Sequence, residues 1–123
     1  MNARISARAT YDLETIFGGI CAQQGIEAAD EFLRLVRQAV GFLVQNPDAG
    51  PHPRWAVKHK TLRYWVISKT NFLIYYFHDE FAVSIEPVLD GRRDVRRIME
   101  QSLEEPDPTK EEYHTAPKFD FPG

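Results

Sequence analysis

Apolar and polar positions are most clearly patterned between Leu62 and Asp94. Leu62 to Ile67 and Phe72 to Phe77 are short, aromatic and β-branched, and the polar Ser68-Lys69-Thr70-Asn71 between them reads as a turn, so a hairpin is predicted. After a second turn at His78-Asp79-Glu80, Phe81, Val83, Ile85 and Leu89 share one parity, while Ser84, Glu86 and Asp90 take the other. This predicts a third strand with one core face and one wet face. Pro87 lies inside it, where a missing amide donor requires a bulge or an unpaired edge.

Such a meander is not stable with its apolar face in water, so helices from the preceding half must cover it. Arg4-Ile5 can pair as a first strand, and Ser6 is placed to cap a helix starting near Ala7. Tyr11, Ile16, Phe17, Ile20 and Cys21 share one side of that helix. Gly18-Gly19 weakens its middle; the pair permits either close approach to a neighbour or a kink, and the sequence does not decide. A second helix is predicted from about Ile26 to Gln45, with Ala29, Phe32, Leu33, Val36, Ala39, Val40 and Leu43 as its apolar stripe and Glu27, Asp30 and Glu31 in its first turns. The short Gln24-Gly25 break folds the two helices into an antiparallel hairpin.

Asn46-Pro-Asp-Ala-Gly-Pro-His-Pro ends the second helix, and reads equally as a solvated connector or as a binding loop. Arg54, Lys58, His59 and Lys60 make a basic approach to the hairpin. Past Asp94, Val95, Ile98 and Met99 can pack a short last helix while Arg96 and Arg97 stay wet. From Glu100 onward four prolines and seven acidic residues predict an irregular tail, with Phe119 and Phe121 as anchors. The expectation is an α+β fold, a helical hairpin packed on a mainly antiparallel sheet in the order β-α-α-β-β-β with a short C-terminal helix. Residues 1–99 form one domain and residues 100–123 an acidic, proline-rich tail.

At 123 residues the chain can bury a core without metals or cross-links. The single cysteine, Cys21, cannot form an internal disulfide and reads as a small core residue on a helix rather than a nucleophile. No signal-peptide pattern and no membrane-length apolar run occur, so a cytoplasmic protein with no membrane association is expected. The net charge of −3 conceals an asymmetry. Four basic against six acidic residues give −2 for residues 1–51, nine against five give +4 for 52–99, and two against seven give −5 for 100–123. A basic middle suits an anionic partner, and the acidic tail is expected to cover part of it. His52, His59, His78 and His114 lack metal-ligand spacing, so neither metal nor cofactor is expected, and no phosphate loop or Gly-x-Ser-x-Gly elbow occurs. Tyr75-Tyr76-Phe77 reads as core rather than as a base-stacking platform.

Leu62-Arg63 opening a strand, the Leu73-Ile74-Tyr75-Tyr76 strand, and Val88-Leu89-Asp90-Gly91-Arg92-Arg93-Asp94 running into a short helix resemble the RelE/ParE superfamily of toxins from type II toxin-antitoxin modules, in particular its ParE-like, plasmid-stabilisation branch. Ala9 to Ile20 is similar to that family's Ala-x-x-Asp-Leu-x-x-Ile segment, Glu27 to Phe32 to its Ala-Ala-x-x-Phe helix start, and Asn46 to Gly50 to its Asn-Pro-x-x-Gly loop. The likeness spans roughly residues 3–99; Asp90 stands where the family often has histidine.

The resemblance implies a toxin that inhibits DNA gyrase by binding and is neutralised by a cognate ParD-like antitoxin, in a hetero-oligomer, with Arg63, Arg92, Arg93, Arg96 and Arg97 meeting the target. Gly91 and Asp94 would complete the structural motif. The RelE branch implies instead a ribosome-dependent mRNA endoribonuclease, with Lys58, Lys60, Arg63 and Arg93 as its cations. Cleavage by a ribose hydroxyl also requires an acid/base group, yet Arg92 to Met99 holds only Arg, Asp, Val, Ile and Met, and Tyr113 and His114 lie far along the tail. A third possibility is a non-toxic interaction module with the same fold. Arg92-Arg93-Asp94 also has a structural reading, with Asp94 as a helix cap and the arginines paired locally.

Overall fold

Ser6 decides where the first helix begins. Its backbone is extended, and its side-chain oxygen accepts the Ala9 amide at 3.0 Å, satisfying one donor that a helix start leaves open. A computed structural model describes residues 1–56, 60–93, 95–104 and 113–114, with backbone only beyond Met99. Its elements are β1 (Asn2–Ser6), α1 (Ala7–Gln24), α2 (Ile26–Gln45), β2 (Arg63–Val66), β3 (Phe72–His78), β4 (Ala82–Asp90), α3 (Val95–Glu104) and β5 (Tyr113–His114). The strands form one mixed sheet in the order β2-β3-β4-β1-β5, in which only β1 and β4 run parallel. This is the expected α+β architecture, a helical hairpin laid on a mainly antiparallel sheet.

Gly25 is the single residue between α1 and α2 and holds φ of 95°, a conformation that side-chain-bearing residues avoid. Every residue of the predicted α2 stripe is buried, and Leu35 and Val44 join it. On α1 the inward residues are Ala9 and Leu13, with Ile16, Phe17 and Ile20 packed partly against the core. Tyr11, expected on the apolar side, is 67% exposed. Gly18 and Gly19 face open space, so they serve no close approach, and α1 runs unbroken through them.

The expectation of a single buried sheet face is corrected. Tyr76, Ile74, Val83, Ile85 and Val88 turn toward the helical hairpin, as does Ile5. On the opposite face Leu62, Tyr75, Leu89, Met99 and Ala56 form a second buried cluster, roofed by α3 and the segment around Trp55. β4 is an interior strand covered on both sides, which is why Glu86 is only 4% exposed. Phe81, expected to open the apolar face, lies in the turn and is 70% exposed.

Pro87 produces the predicted bulge. Ile74 pairs with Val88 and Tyr76 with Ile85, so two residues of β4, Glu86 and Pro87, oppose Tyr75 alone. The extra residue reverses parity, and Leu89 therefore faces away from Ile85 instead of beside it. β1 pairs with β4 only as far as Ile85, and beyond it the Val88 amide donates to Asp12 Oδ2 at 3.1 Å. α3 continues five residues past the expected Met99 boundary, and residues 113–114 form a strand, so the segment after Met99 is not wholly irregular. Phe119 and Phe121 lie outside the described residues.

Candidate target-binding surface

β4 leaves the sheet through a tight turn stabilised by charge. Asp90 accepts from the Arg92 amide at 2.9 Å and from its guanidinium at 3.0 and 2.7 Å, while the Arg93 amide donates to the Asp90 carbonyl at 3.1 Å. These bonds to Arg92 hold the Asp90 carboxyl well below its ordinary range, at about 2. Gly91 donates its amide to the Asn71 carbonyl at 2.7 Å, extending the β3–β4 ladder by one bond. An added Cβ there would stand 3.2 Å from that carbonyl.

Arg92 and Arg93 are exposed on the turn. Arg96 and Arg97 are exposed on α3, whose Val95, Ile98 and Met99 pack into the second cluster. Four guanidinium groups thus fall within six residues at one exit of the sheet. Asp94 and Lys58 lie outside the described residues, and Lys60 is exposed before β2.

Arg63 stands apart from this group. It pairs with Tyr76 on β3, whereas Asp90 pairs with Phe72, four residues or about 13 Å along the same strand. Its Nη1 donates to the carbonyls of Asp48 and Gly50 at 2.9 and 2.7 Å, and its Nη2 lies 3.3 Å from Asp48 Oδ1. The Tyr76 hydroxyl donates to the Pro47 carbonyl and accepts the Gly50 amide, both at 2.9 Å. His78 Nε2 meets Asp48 Oδ1 at 2.8 Å, and its Nδ1 is sealed without a hydrogen-bond partner. The Asn46–Gly50 loop is therefore held to the sheet by Arg63, Tyr76 and His78. Sequence reasoning missed this cluster, because its partners are 13 to 30 residues apart and no local periodicity connects them.

Two hollows run along α2. An open groove of about 630 Å³ lies between the α1–α2 corner and the turn before β3, floored by Ile20, Phe32, Leu35 and Phe72, with Glu31, Lys69 and Arg92 at its rim. Leu35 also lines a smaller hollow of about 170 Å³ bounded by Phe42 and Trp65, whose rings stack with centroids 5.0 Å apart. Phe42 is 43% exposed, an apolar residue beside the predicted stripe that could have signalled the groove.

On the opposite face, burial and the neighbouring Tyr64 push the Tyr75 phenol up to about 12. A phenol with that pKa is a poor general base near neutral pH. No helix among the described residues is long and apolar enough to cross a membrane.

No curated protein matches the chain. Among solved structures it is similar to a chain titled "Chromosomal ParDE TA system from P. aeruginosa", at 19% identity and a TM-score of 0.61, covering 72% of this chain and 92% of that one. At that identity the likeness speaks for the fold. The family model described as "ParE toxin of type II toxin-antitoxin system, parDE" matches residues 3–95, and the chain therefore belongs to that ParE toxin family.

Proposed function

We propose that this ParE toxin inhibits DNA gyrase by binding it, through the Arg92, Arg93, Arg96 and Arg97 surface, and that a cognate antitoxin neutralises it. The supporting observation is the concentration of those cations at the exit of β4, without an accessible proton-transfer group beside them among the described residues. His78 is engaged with Asp48, and Tyr75 is buried with its pKa near 12. A surface of this kind binds an anionic or acidic partner; it does not assemble the base and acid that RNA cleavage requires.

The grooves along α2 suit an antitoxin segment with apolar anchors, since their walls are aromatic and aliphatic and their rim carries both charge signs. Arg63 is assigned to holding the loop rather than to meeting the target. In this reading residues 1–99 carry the toxin domain, residues 100–123 are an appended acidic segment, and the complex works in the cytoplasm.

The test is supercoiling of relaxed plasmid by gyrase in the presence of the purified protein. Inhibition is expected from the wild type, and a loss of at least about tenfold in potency when Arg92, Arg93, Arg96 and Arg97 are all replaced by alanine. Untouched supercoiling together with fragmented mRNA in a translation extract would replace this reading with the endoribonuclease one. Unimpaired growth on induction without the adjacent open reading frame would leave a non-toxic interaction module.

A further inference from the structure

The sheet has two outer strands, and the fold treats both edges. On the β2 side the outward amide of Tyr64 donates to the Pro51 carbonyl at 3.0 Å, so an irregular loop occupies that edge. On the β1 side the edge is met by β5, with Ile5 opposite His114 and Ser6 opposite Tyr113. Without β5, β1 would present a row of unpaired backbone groups to any extended chain.

We infer that the Tyr113–His114 segment is a cap, supplied by the chain itself, that closes the β1 edge against pairing with a second copy. The sequence of the tail supports this assignment. Its prolines are at 106, 108, 117 and 122, which leaves Thr109 to Ala116 as the longest proline-free stretch after Glu105, with Tyr113 and Thr115 as strand-favouring residues inside it. Residues 105–112 connect Glu104 to Tyr113, and nine residue steps span at most about 30 Å. The family match ends at residue 95, so the cap belongs to the part of this chain outside that match.

The cap is also narrow. β5 pairs with two residues of a five-residue strand. Pairing in cis covers the end of β1 nearest α1, where a second copy would otherwise begin its ladder.

Full-length protein and the variant Tyr113→Pro/His114→Pro, which removes both amide donors without shortening the chain, are compared by NMR and by light scattering after size exclusion. Backbone contacts between Ser6 and residue 113, and between Ile5 and residue 114, are expected in the wild type and absent from the variant. The wild type is expected to remain monomeric across a hundredfold range of concentration, while the variant shifts to concentration-dependent dimers. Absence of those contacts in the wild type would overturn the inference, as would a variant that stays folded by circular dichroism and monomeric over the same range. A variant that loses its native circular dichroism would also count against it, because a peripheral two-residue cap is not required for the core.

Discussion

Gly50 gives the sharpest test of how the loop is locked to the sheet. It is buried, and a methyl group added there would collide with the Tyr76 hydroxyl, lie 2.5 Å from the Tyr64 carbonyl and 2.8 Å from Tyr76 Cε1. One of these neighbours is backbone of β2, so the alanine must push the loop outward rather than displace a flexible side chain. That movement separates the Gly50 amide from the Tyr76 hydroxyl and disturbs the bond from Arg63 to the Gly50 carbonyl. Overpacking at such a site costs about 1–3 kcal/mol, and leaving a buried polar group unsatisfied costs about 1–3 kcal/mol. Because the outward shift relieves part of the first while causing the second, Gly50→Ala is expected to lose roughly 2–4 kcal/mol. For a domain of this length that lowers the melting temperature by roughly 8–15 °C. Urea and thermal unfolding followed by circular dichroism measure it. Tyr76→Phe vacates the space of the hydroxyl, so the double variant should be less destabilised than the two single variants added together, by about 1 kcal/mol. A melting shift of Gly50→Ala below about 3 °C, or strict additivity, would refute the proposed lock.

Three further outcomes follow from the same geometry. Arg63→Ala should lose about 2 kcal/mol in urea unfolding because it releases two loop carbonyls and Asp48, whereas Arg93→Ala should change stability by less than about 0.5 kcal/mol. Burial raises the Asp12 carboxyl against the lowering influence of Arg8 and the Val88 amide, so its favourable contribution is present below the unfolded pKa and lost as pH rises through the folded one. The stability advantage of wild type over Asp12→Asn should therefore shrink as pH rises above the unfolded carboxyl pKa of about 3.9. Tyr75, 3% exposed, follows the same sign: its contribution is full below pH 10 and lost toward about 12. Tyrosinate absorbance should show the Tyr75 phenol titrating late, with that of Tyr76 also raised by its burial, and alkaline unfolding of Tyr75→Phe should lack a loss of about 2–3 kcal/mol over that interval.

The parts of the fold that could be read in advance were those decided locally. Both ends of α2 are legible in the sequence, because its apolar stripe, its acidic first turns and the following prolines agree. Ser6 as a cap and Pro87 as a bulge followed from what a hydroxyl and a missing amide can do. Val83 and Ile85 lie on the expected core face of β4, while Leu89 changes face at the Pro87 bulge and the second roof over the sheet is not legible: α3 contributes only Val95, Ile98 and Met99 to it, between arginines that suggest a solvated helix. Tyr11 reads as inward by its approximate helical spacing to Ile16, Phe17 and Ile20, whereas the helix turns Leu13 into the core instead. At the candidate surface the clustering of residues 92–97 is already present in the sequence, while the separation of Arg63 is not. Whether an arginine faces a partner or a nearby loop depends on contacts with residues far away in the chain, and charge patterning carries no trace of them.

The parallel pairing of β1 with β4 joins Asn2 to Ala82, about 80 residues later. β1 therefore has no parallel partner until α1, α2 and the β2–β3 hairpin that separate it from β4 in the chain have been made. α1 and α2 can form earlier, since their contacts are local, but the sheet closes only once this long-range pairing is made. A chain cut short before β4 therefore lacks both the parallel partner of β1 and the turn that carries Arg92 and Arg93.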